Sequence, residues 1–424
     1  MINTIIGILL ILTFLGFVFF VMKGGNIMLG FLVMAILWTI IGGIPLKTAI
    51  VEVFSKPALD YGSTIMVIIF GSWFGRILVD TGIAGSISYE TVKVSYKHPV
   101  IASILICLVT SLIFTSSYGV GAVIALAVIL IPVLTSLGLP KHIAIVAFSL
   151  SIGSAMYVNI VIIKQLQIFF PKVVYGAKYL AFGFSAMFIQ LAVVTLFILL
   201  HSRTIHKNEV AQDASQSQNK FNAPKISYVM PVFPVFMNLV FGWEPIPALM
   251  LAIAIVLLIT GNLKTYNQAL NIINSSIKIA ITDISGLIIM LLFLTMFSAT
   301  AVKNAAKFSG VLNSIVPNSP TVLAIAIIIL APLALFRGPL MVWGSGSATV
   351  AVLAGTGIFN QYFAFALMLI PSVSIAISTC ITQSWNLWLV EDSKIPVKKF
   401  LITGVPYGWL SAALNVILAL YMFK

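Results

Sequence analysis

The chain has 424 residues, of which 61% are hydrophobic and only 8% are charged, and its mean hydropathy is +1.15. This composition leaves too little polar surface to coat a water-soluble globule, so it predicts an all-α polytopic membrane protein. The net charge of +13 does not indicate a nucleic-acid partner, because the basic residues lie between apolar segments. The lipid bilayer is the expected environment of most of the chain.

Apolar segments of roughly membrane-spanning length form two groups around a polar stretch. Seven precede it, near 4–22, 26–44, 61–81, 98–114, 117–136, 140–162 and 178–200. Seven follow it, near 228–242, 245–261, 279–300, 320–336, 339–357, 361–382 and 401–422. The first segment has no basic region or cleavage site typical of a secretory signal, so we expect it to remain as an anchor.

These segments predict a division of the chain into two membrane repeats. Residues 201–227 are rich in Gln, Ser, Asn and Lys, a composition typical of a flexible loop. We therefore expect an N-terminal repeat over 1–200, a cytoplasmic linker over 201–227 and a C-terminal repeat over 228–424. Counting re-entrant hairpins, the expected number of membrane segments is about 12–14.

The run LFRGPLMVWGSGSATVAVLAGTG, residues 335–357, is hydrophobic enough to enter a bilayer but is interrupted by GSGS at 344–347. Lipid cannot satisfy unwound backbone, so such a break must be buried in protein or line a wet cavity. The half-helix that resumes after it has free N–H groups and a positive dipole end, which suit an anion. Close helix packing is the structural alternative for these small residues.

A counterpart in the first half favours the functional interpretation. TSSYGVGA, residues 115–122, places Gly119 and Gly121 each 225 residues before Gly344 and Gly346. Two further similarities occur at close to the same spacing, between 81–82 and 309–310 and between 149–152 and 372–375. A shared spacing indicates an internal duplication, and interrupted segments at matching positions of two halves are typical of a transporter binding site.

The distribution of basic residues predicts the orientation of the repeats. With the central loop in the cytoplasm, fifteen lysines and arginines lie inside and eight outside, as the positive-inside rule expects. The segment that ends near Gly82 then runs inward and its partner near Gly310 runs outward. We therefore expect two inverted repeats with discontinuous helices or re-entrant hairpins.

Three stretches carry a resemblance to a known family: FGRILVDTGIA (74–84), GSATVAVLAGTG (346–357) and WLVEDSKIPVKKFL (388–401). They resemble motifs of the gluconate:proton symporter (GntP-type) family of the ion-transporter superfamily. The resemblance implies inverted repeats with broken helices, uptake of small organic acids, coupling to a cation, and a homodimer. Two departures put proton coupling and a sugar-acid substrate in question. The family's His…Asn-Asp cluster here reads ITQS at 381–384, and its first-half counterpart, rich in Pro and His in the family, here reads SIGSAMYVN at 151–159.

The candidate site follows from the breaks and from the resemblance. Hydroxyls and glycines at the breaks are expected to bind the substrate, namely Ser116, Ser117, Gly119, Gly121, Ser345, Gly346, Ser347 and Thr349. Positions where the family keeps polar residues add Asn159, Thr382 and Gln383. Tyr118 and Trp343 adjoin the two breaks and would wall the cavity, with packing as the alternative.

Ionisable residues within apolar segments are costly and usually purposeful. Asp283 is the candidate for binding the coupling cation, with a position at the interface as the alternative. Arg337 is a candidate for holding a substrate carboxylate, with a cytoplasmic anchor as the alternative. Arg76 and Asp80 have the i, i+4 spacing of a pair that neutralises itself on one helix face.

The sequence contains none of the common motifs of ATPases, zinc proteases or serine hydrolases, so no enzyme activity and no cofactor are expected. The prediction is a secondary active symporter, coupled to H+ or Na+, for a small organic acid anion such as a sugar acid. It would work in the cytoplasmic membrane, with a small carboxylate and the bilayer as partners and no metal or nucleic acid. A cation/proton antiporter of the same superfamily and a passive anion channel are the alternatives.

Overall fold

The computed structural model describes residues 2–23, 25–95, 98–202, 223–315, 317, 319–346, 349–350, 353–354 and 359–424. Within these ranges the chain forms helices and turns and no strand, which confirms the all-α prediction. Ser347 and most of the linker predicted at 201–227 lie outside the described residues.

In its described residues, the first half contains nine longer helices. They are α1 (Ile2–Met22), α2 (Ile27–Ile41), α3 (Gly62–Asp80), α4 (Ile83–Ser95), α5 (Pro99–Phe114), α6 (Val120–Ser136), α7 (Lys141–Ala155), α8 (Ile160–Gln167) and α9 (Ala177–Leu200). A shorter helical stretch between α2 and α3 includes the π-helix Ala49–Ser55.

The second half begins with the 3-10 helix Lys225–Val232 and continues with α10 (Phe233–Phe241) and α11 (Pro245–Ile259). The remaining helices are α12 (Tyr266–Ile315), α13 (Pro320–Leu330), α14 (Gln361–Pro371), α15 (Ser384–Asp392) and α16 (Val397–Phe423). A 3-10 turn, Ala331–Arg337, follows α13, and the π-helix Ser372–Ile377 follows α14.

Five of the described helical segments are long and apolar enough to cross a membrane, or six if the bent pair α7 and α8 is one span. Seven further apolar helices in the described part of the chain have 10–17 residues. Such a set of apolar helices shows a multi-pass membrane protein, as composition predicts.

Two helices differ from the segments that hydropathy predicts. The apolar segment 140–162 is divided by a turn at 156–159, so that α7 and α8 bend by 59°. The segment 279–300 is only the middle of α12, which has 50 residues. Hydropathy finds apolar stretches, whereas the ends of α12 are polar residues that continue the helix because no proline interrupts it.

The core lies around α7 and α14, where nearly every residue is buried. A helix that is buried on all sides has no solvent-facing polar side, and the serines of α7 are accordingly buried and hydrogen-bonded inside the protein. Hydrogen bonds of buried serines connect α7 and the turn after it to the segment that follows α14. Ser149 Oγ donates to Ser378 O at 2.8 Å, and Tyr157 Oη lies 2.6 Å from Ser374 Oγ.

Helices of the first half pack antiparallel on helices of the second half in two places. In α3 and α12, Trp73 Nε1 donates to Ser276 Oγ at 2.8 Å and Ser72 Oγ donates to Ala280 O at 3.1 Å. The residue number falls along one helix as it rises along the other. Two hydrogen bonds give the same order for α9 and α16: Ser411 Oγ to Gln190 Oε1 and Asn415 Nδ2 to Ala186 O.

Candidate functional site

Two interruptions of helix, one in each half, border a common cavity. The first break (residues 115–119) separates α5 from α6, and the second break (residues 338–345) follows Arg337. The cavity has a volume of about 300 Å³. Its wall combines residues at the two breaks with residues of α2, α8, α12, α15 and the turn before α15. Among them are Ile27, Met28, Tyr118, Gly119, Ile162, Asp283, Arg337, Trp343, Thr382, Gln383 and Trp385.

The first break is held in place by Asn159. Its Nδ2 donates to Phe114 O at 2.8 Å and to Ser117 O at 2.9 Å, while its Oδ1 accepts from the N–H of Val161 at 3.0 Å. The side chain thus satisfies two carbonyls that the end of α5 leaves free and one N–H at the start of α8. These bonds give Asn159 a positioning role behind the cavity.

Ser116 and Ser117 in the first break are buried, and the hydroxyl of each has no hydrogen-bond partner among the described residues. A buried hydroxyl without a partner costs free energy, so such groups mark places that a ligand or water can satisfy. Neither serine belongs to the described wall of the cavity, although Tyr118 beside them does.

The start of α6 is covered by the carboxylate of Asp283. Gly119 precedes the helix with a φ of 109°, a conformation that only glycine adopts easily. Gly121, in the first turn, lies so close to Asp283 Oδ2 that a Cβ there would overlap it. The free N–H groups and positive dipole end of α6 therefore meet an anion that belongs to the protein, so a substrate anion there would compete with Asp283.

The second break is longer and is closed by its own backbone. The carbonyl of Arg337 accepts from the N–H of Ser345 at 2.8 Å and from its Oγ at 3.0 Å. Gly344 packs directly on the backbone of Arg337, where a Cβ would clash. Phe336 and Arg337 both have positive φ values, of 52° and 61°, which non-glycine residues adopt only under constraint.

This constrained backbone directs Arg337 into the cavity. Its Nη2 lies 3.5 Å from the carbonyl oxygen of Thr382, at the limit of a hydrogen bond. Ion pairs in the described part of the chain join Arg76 to Asp80 and Lys303 to Glu52, so none of its carboxylates pairs with Arg337. A half-buried guanidinium without an acidic partner can bind a carboxylate bidentately.

Aromatic residues complete the wall and connect it to α8. Trp343 Nε1 donates to Gln165 Oε1 at 2.6 Å, which joins the second break to α8. Trp385 is 3% exposed, and its Nε1 has no hydrogen-bond partner among the described residues. The N–H of Trp385 is thus an unsatisfied buried donor in the cavity wall, in addition to the donor groups of Arg337, Thr382 and Gln383.

Of the predicted substrate residues, the cavity wall contains Gly119, Thr382 and Gln383, together with the cation candidate Asp283. The predicted Gly121 contacts Asp283, and Ser345 bonds the backbone of Arg337. Two more lie beside the second break and outside the described wall: Gly346, whose buried backbone adjoins Met341, and Thr349, which is half-buried.

Sequence reasoning missed Trp385, Gln165 and the start of α2 as parts of the site. Trp385 immediately follows the polar turn that contains Thr382 and Gln383, so proximity to that turn is the signal that could have found it. Ile27 and Met28 carry no such signal, because apolar residues at the start of a helix are common in membrane proteins.

The cavity continues into an open groove of about 550 Å³ that shares Ile27, Met28, Arg337 and Thr382 with it. The outer part of the groove is lined by residues of the connection between α1 and α2, including Lys23 and Asn26. Arg337 is therefore reachable from that face of the molecule. The basic-residue count predicts that this face is the cytoplasmic one.

No protein-family model matches the chain, and no curated protein matches it in sequence. In three dimensions it is similar to the crystal structure of the Alcanivorax borkumensis YdaH transporter, which is described as having an unusual topology. The TM-score is 0.63 and the sequence identity 15%, over 93% of this chain and 98% of that chain. The chain therefore has the fold of a membrane transporter over nearly its whole length.

Proposed function

We propose that this protein is a secondary active symporter that carries a small organic acid anion across the cytoplasmic membrane. The observation that carries the proposal is Arg337, a guanidinium without an acidic partner among the described residues, in a cavity between two helix breaks. The buried donor of Trp385 and the polar groups of Thr382 and Gln383 supply further contacts for an anion. The transporter fold and the absence of enzyme motifs from the sequence favour transport over catalysis.

The resemblance to the gluconate:proton symporter family supports a carboxylate as substrate. In the family a charged cluster lies near positions that here are Ile381, Thr382 and Gln383. In this chain Arg337 reaches Thr382 from another segment of the chain. The guanidinium of Arg337, just before the second break, can thus bind the substrate where family members use the charged cluster.

Uptake into proteoliposomes tests the proposal directly. The purified chain should accumulate a radiolabelled small carboxylate against its gradient when an ion gradient is imposed, and liposomes without protein should not. A thermal-shift screen of small organic acids selects the compound to label, because a ligand that binds the folded form raises its melting temperature. Uptake that never exceeds equilibrium would instead indicate a passive anion channel.

The coupling ion is a proton or sodium, and we favour protons because the resemblance points there. If Asp283 carries the proton, Asp283→Asn should eliminate uphill uptake but spare exchange of internal for external solute, because an amide cannot pick up and release a proton. If sodium is the driver, uptake should collapse in sodium-free buffer and tolerate that substitution. Uptake that depends on sodium and resists a proton uncoupler would overturn the preference for protons.

A cation/proton antiporter is the second candidate, and the position of Asp283 in the cavity wall favours it. Antiporters need an ionisable group that binds the two cations in turn. In an antiporter, a sodium gradient across sealed vesicles should drive proton movement without any organic acid. Proton movement that requires an organic acid would support the symporter.

The homodimer implied by the resemblance is a separate proposal. Many large apolar side chains are exposed on α1, α10 and α13, where either lipid or a second copy of the chain can cover them. The mass of the protein in a detergent of known micelle size, measured by light scattering, distinguishes the two. A monomer in that measurement and in native nanodiscs would exclude the dimer.

A further inference from the structure

The cavity wall contains one carboxylate and one guanidinium that are not paired with each other. Asp283 and Arg337 both line it, yet the ion pairs of the described residues involve neither side chain. Charges at membrane depth are costly unless they are compensated. Two opposite charges that share a small cavity without meeting leave a place for a ligand that meets both.

Asp283 is fixed on one side of the cavity. Its carboxylate lies on the first turn of α6, where it contacts Gly121, and α12 and α3 are joined nearby through Ser72 and Ala280. Part of its hydrogen-bonding capacity is thus satisfied by the start of α6. A carboxylate has several acceptor positions, so Asp283 can accept from a ligand while it keeps this contact.

Arg337 is fixed on another part of the wall. Its carbonyl is held by Ser345, and its guanidinium lies at the carbonyl of Thr382. The two charged side chains thus lie on different parts of the wall and form no ion pair with each other. The cavity of about 300 Å³ is large enough for a small organic solute.

A simple organic acid can pair with the guanidinium of Arg337 but not with the carboxylate of Asp283. Its carboxylate would bind Arg337, but Asp283 would add a second negative charge to the same cavity. That repulsion disappears if Asp283 is protonated or if the ligand itself brings a positive charge. An ammonium group does the latter, and its three donors match the acceptor-only carboxylate of Asp283.

We propose that the preferred substrate is a small zwitterion such as an amino acid, with its carboxylate at Arg337 and its ammonium group at Asp283. This inference rests on the proposed function and narrows its substrate class. The ammonium group takes the position that a coupling proton would take when a simple acid binds. Tyr118, Trp343 and Trp385 then enclose the short apolar part of the ligand.

Equilibrium binding to the purified full chain tests this with ligands that differ only in the amine. Serine is compared with glycerate, and alanine with lactate, each as the racemate, by isothermal titration calorimetry at one pH. Each amino acid should bind at least about tenfold more tightly than its hydroxy acid, a difference of about 1.4 kcal/mol. Equal binding, or tighter binding of the hydroxy acids, overturns the inference and leaves an organic acid carrier standing.

Substitutions assign the preference to the two charges. Asp283→Asn should reduce the preference for the amino acid to less than about threefold, whereas Arg337→Gln should weaken both members of a pair. Glu52→Gln is the matched control, because it removes a carboxylate that pairs with Lys303 away from the cavity. An amine preference that survives Asp283→Asn would show that another group binds the ammonium and would overturn the assignment.

The comparison of amino acids with hydroxy acids on the wild-type protein tests the inference even if Asp283→Asn does not fold, because it needs no variant. If neither the acids nor the amino acids bind, the inference fails, and the proposed function fails with it for these compounds. If Asp283 is only a proton carrier, the wild-type protein should prefer the hydroxy acids, with a preference that strengthens at low pH. These outcomes separate failure of the zwitterion from failure of the carrier.

Discussion

The two helix breaks occupy corresponding positions in inverted repeats, but they are built differently. The first break has five residues, and the helix that follows it is capped by Asp283 from α12. The second break has eight residues and closes on itself through the carbonyl of Arg337. The carboxylate of Asp283, on α12, lies at the first break. The second break instead follows directly after Arg337, which carries a positive charge.

This difference shows what a duplicated backbone does and does not determine. Small residues at matching positions let both segments unwind, because glycine tolerates the positive φ of Gly119 in the first break and the close backbone approach of Gly344 in the second. The charges are not duplicated: Asp283 and Arg337 have no counterparts of like charge at the other break. An approximately symmetric scaffold thus carries an asymmetric site, which can orient a ligand that has two different ends.

The largest effect is expected at the positive end of the site. Arg337→Gln should weaken the binding of a small carboxylate by roughly 10–150-fold, because a hydrogen bond to a charged group contributes about 1.5–3 kcal/mol. Arg337→Lys should retain part of the binding, since an ammonium keeps the charge but loses the bidentate geometry. Calorimetry on purified protein measures both.

The exposed lysine variant Lys47→Gln serves as the control for net charge, because it removes one positive charge far from the described cavity wall. Unchanged binding in Arg337→Gln would mean that Arg337 is only an anchor at the membrane surface. In that case the two breaks would not differ in substrate binding through a positive charge at the second break.

The next effect compares the glycines of the two breaks. Gly344→Ala should abolish transport, because the added Cβ meets the backbone of Arg337, which cannot move aside. Gly119→Ala should be milder, because its neighbour is the Ser72 hydroxyl at 3.0 Å and the main cost is the strained backbone conformation, about 1–3 kcal/mol. The larger substitutions Gly344→Leu and Gly119→Leu should both eliminate uptake.

Uptake per folded molecule is the measurement for these variants, with the folded fraction determined by size-exclusion chromatography. Gly16→Ala is the matched control, because a Cβ there meets nothing within 4 Å. If Gly344→Ala transports as well as Gly119→Ala, the close packing of the second break is not required for function.

A smaller and purely structural effect is expected at Asn159. Asn159→Ala leaves the carbonyls of Phe114 and Ser117 without their donor, at about 1–3 kcal/mol for each carbonyl that finds no other partner. The melting temperature of the purified protein should fall, and affinity should change less than in Arg337→Gln. A large loss of affinity without loss of stability would show that Asn159 contacts the substrate itself.

Sequence reasoning could locate the breaks because unwound backbone in a membrane needs glycine and small polar residues, and these recur 225 residues apart. It could not derive the packing contacts of Asn159 and Asp283, whose roles in binding the substrate and the coupling cation stay predictions. Asn159 bonds carbonyls more than forty residues away, and Asp283 reaches a helix that begins at Val120. Contacts of this kind depend on how helices pack, and a pattern along one chain does not encode them.

The extent of α12 illustrates the same limit. Hydropathy marks the part of a helix that lipid or protein surrounds, but the ends of this helix are polar and continue well beyond it. The bend between α7 and α8 is equally hidden, since the residues of the turn at 156–159 include Met156, Tyr157 and Val158, which read as ordinary apolar sequence.

The smallest effect is expected at the pair Arg76 and Asp80, which the sequence predicts and the structure confirms at 2.7 Å. The pair lies at the end of α3, one-fifth to one-quarter exposed, so solvent screens it and its contribution should be only about 0.3–0.5 kcal/mol. The double variant Arg76→Gln, Asp80→Asn should therefore lower the melting temperature by less than about 2 °C and leave uptake within about twofold.

The pair belongs to FGRILVDTGIA, one of the stretches that resemble the symporter family, so the uptake of this variant also shows whether the resemblance in this stretch reflects structure or transport. Near-normal uptake would mean that FGRILVDTGIA resembles the family motif because of a structural role. At the second break, by contrast, Arg337 is expected to bind the substrate. A tenfold loss of uptake with unchanged stability would instead place the start of the first repeat on the transport path and weaken the contrast between the two halves.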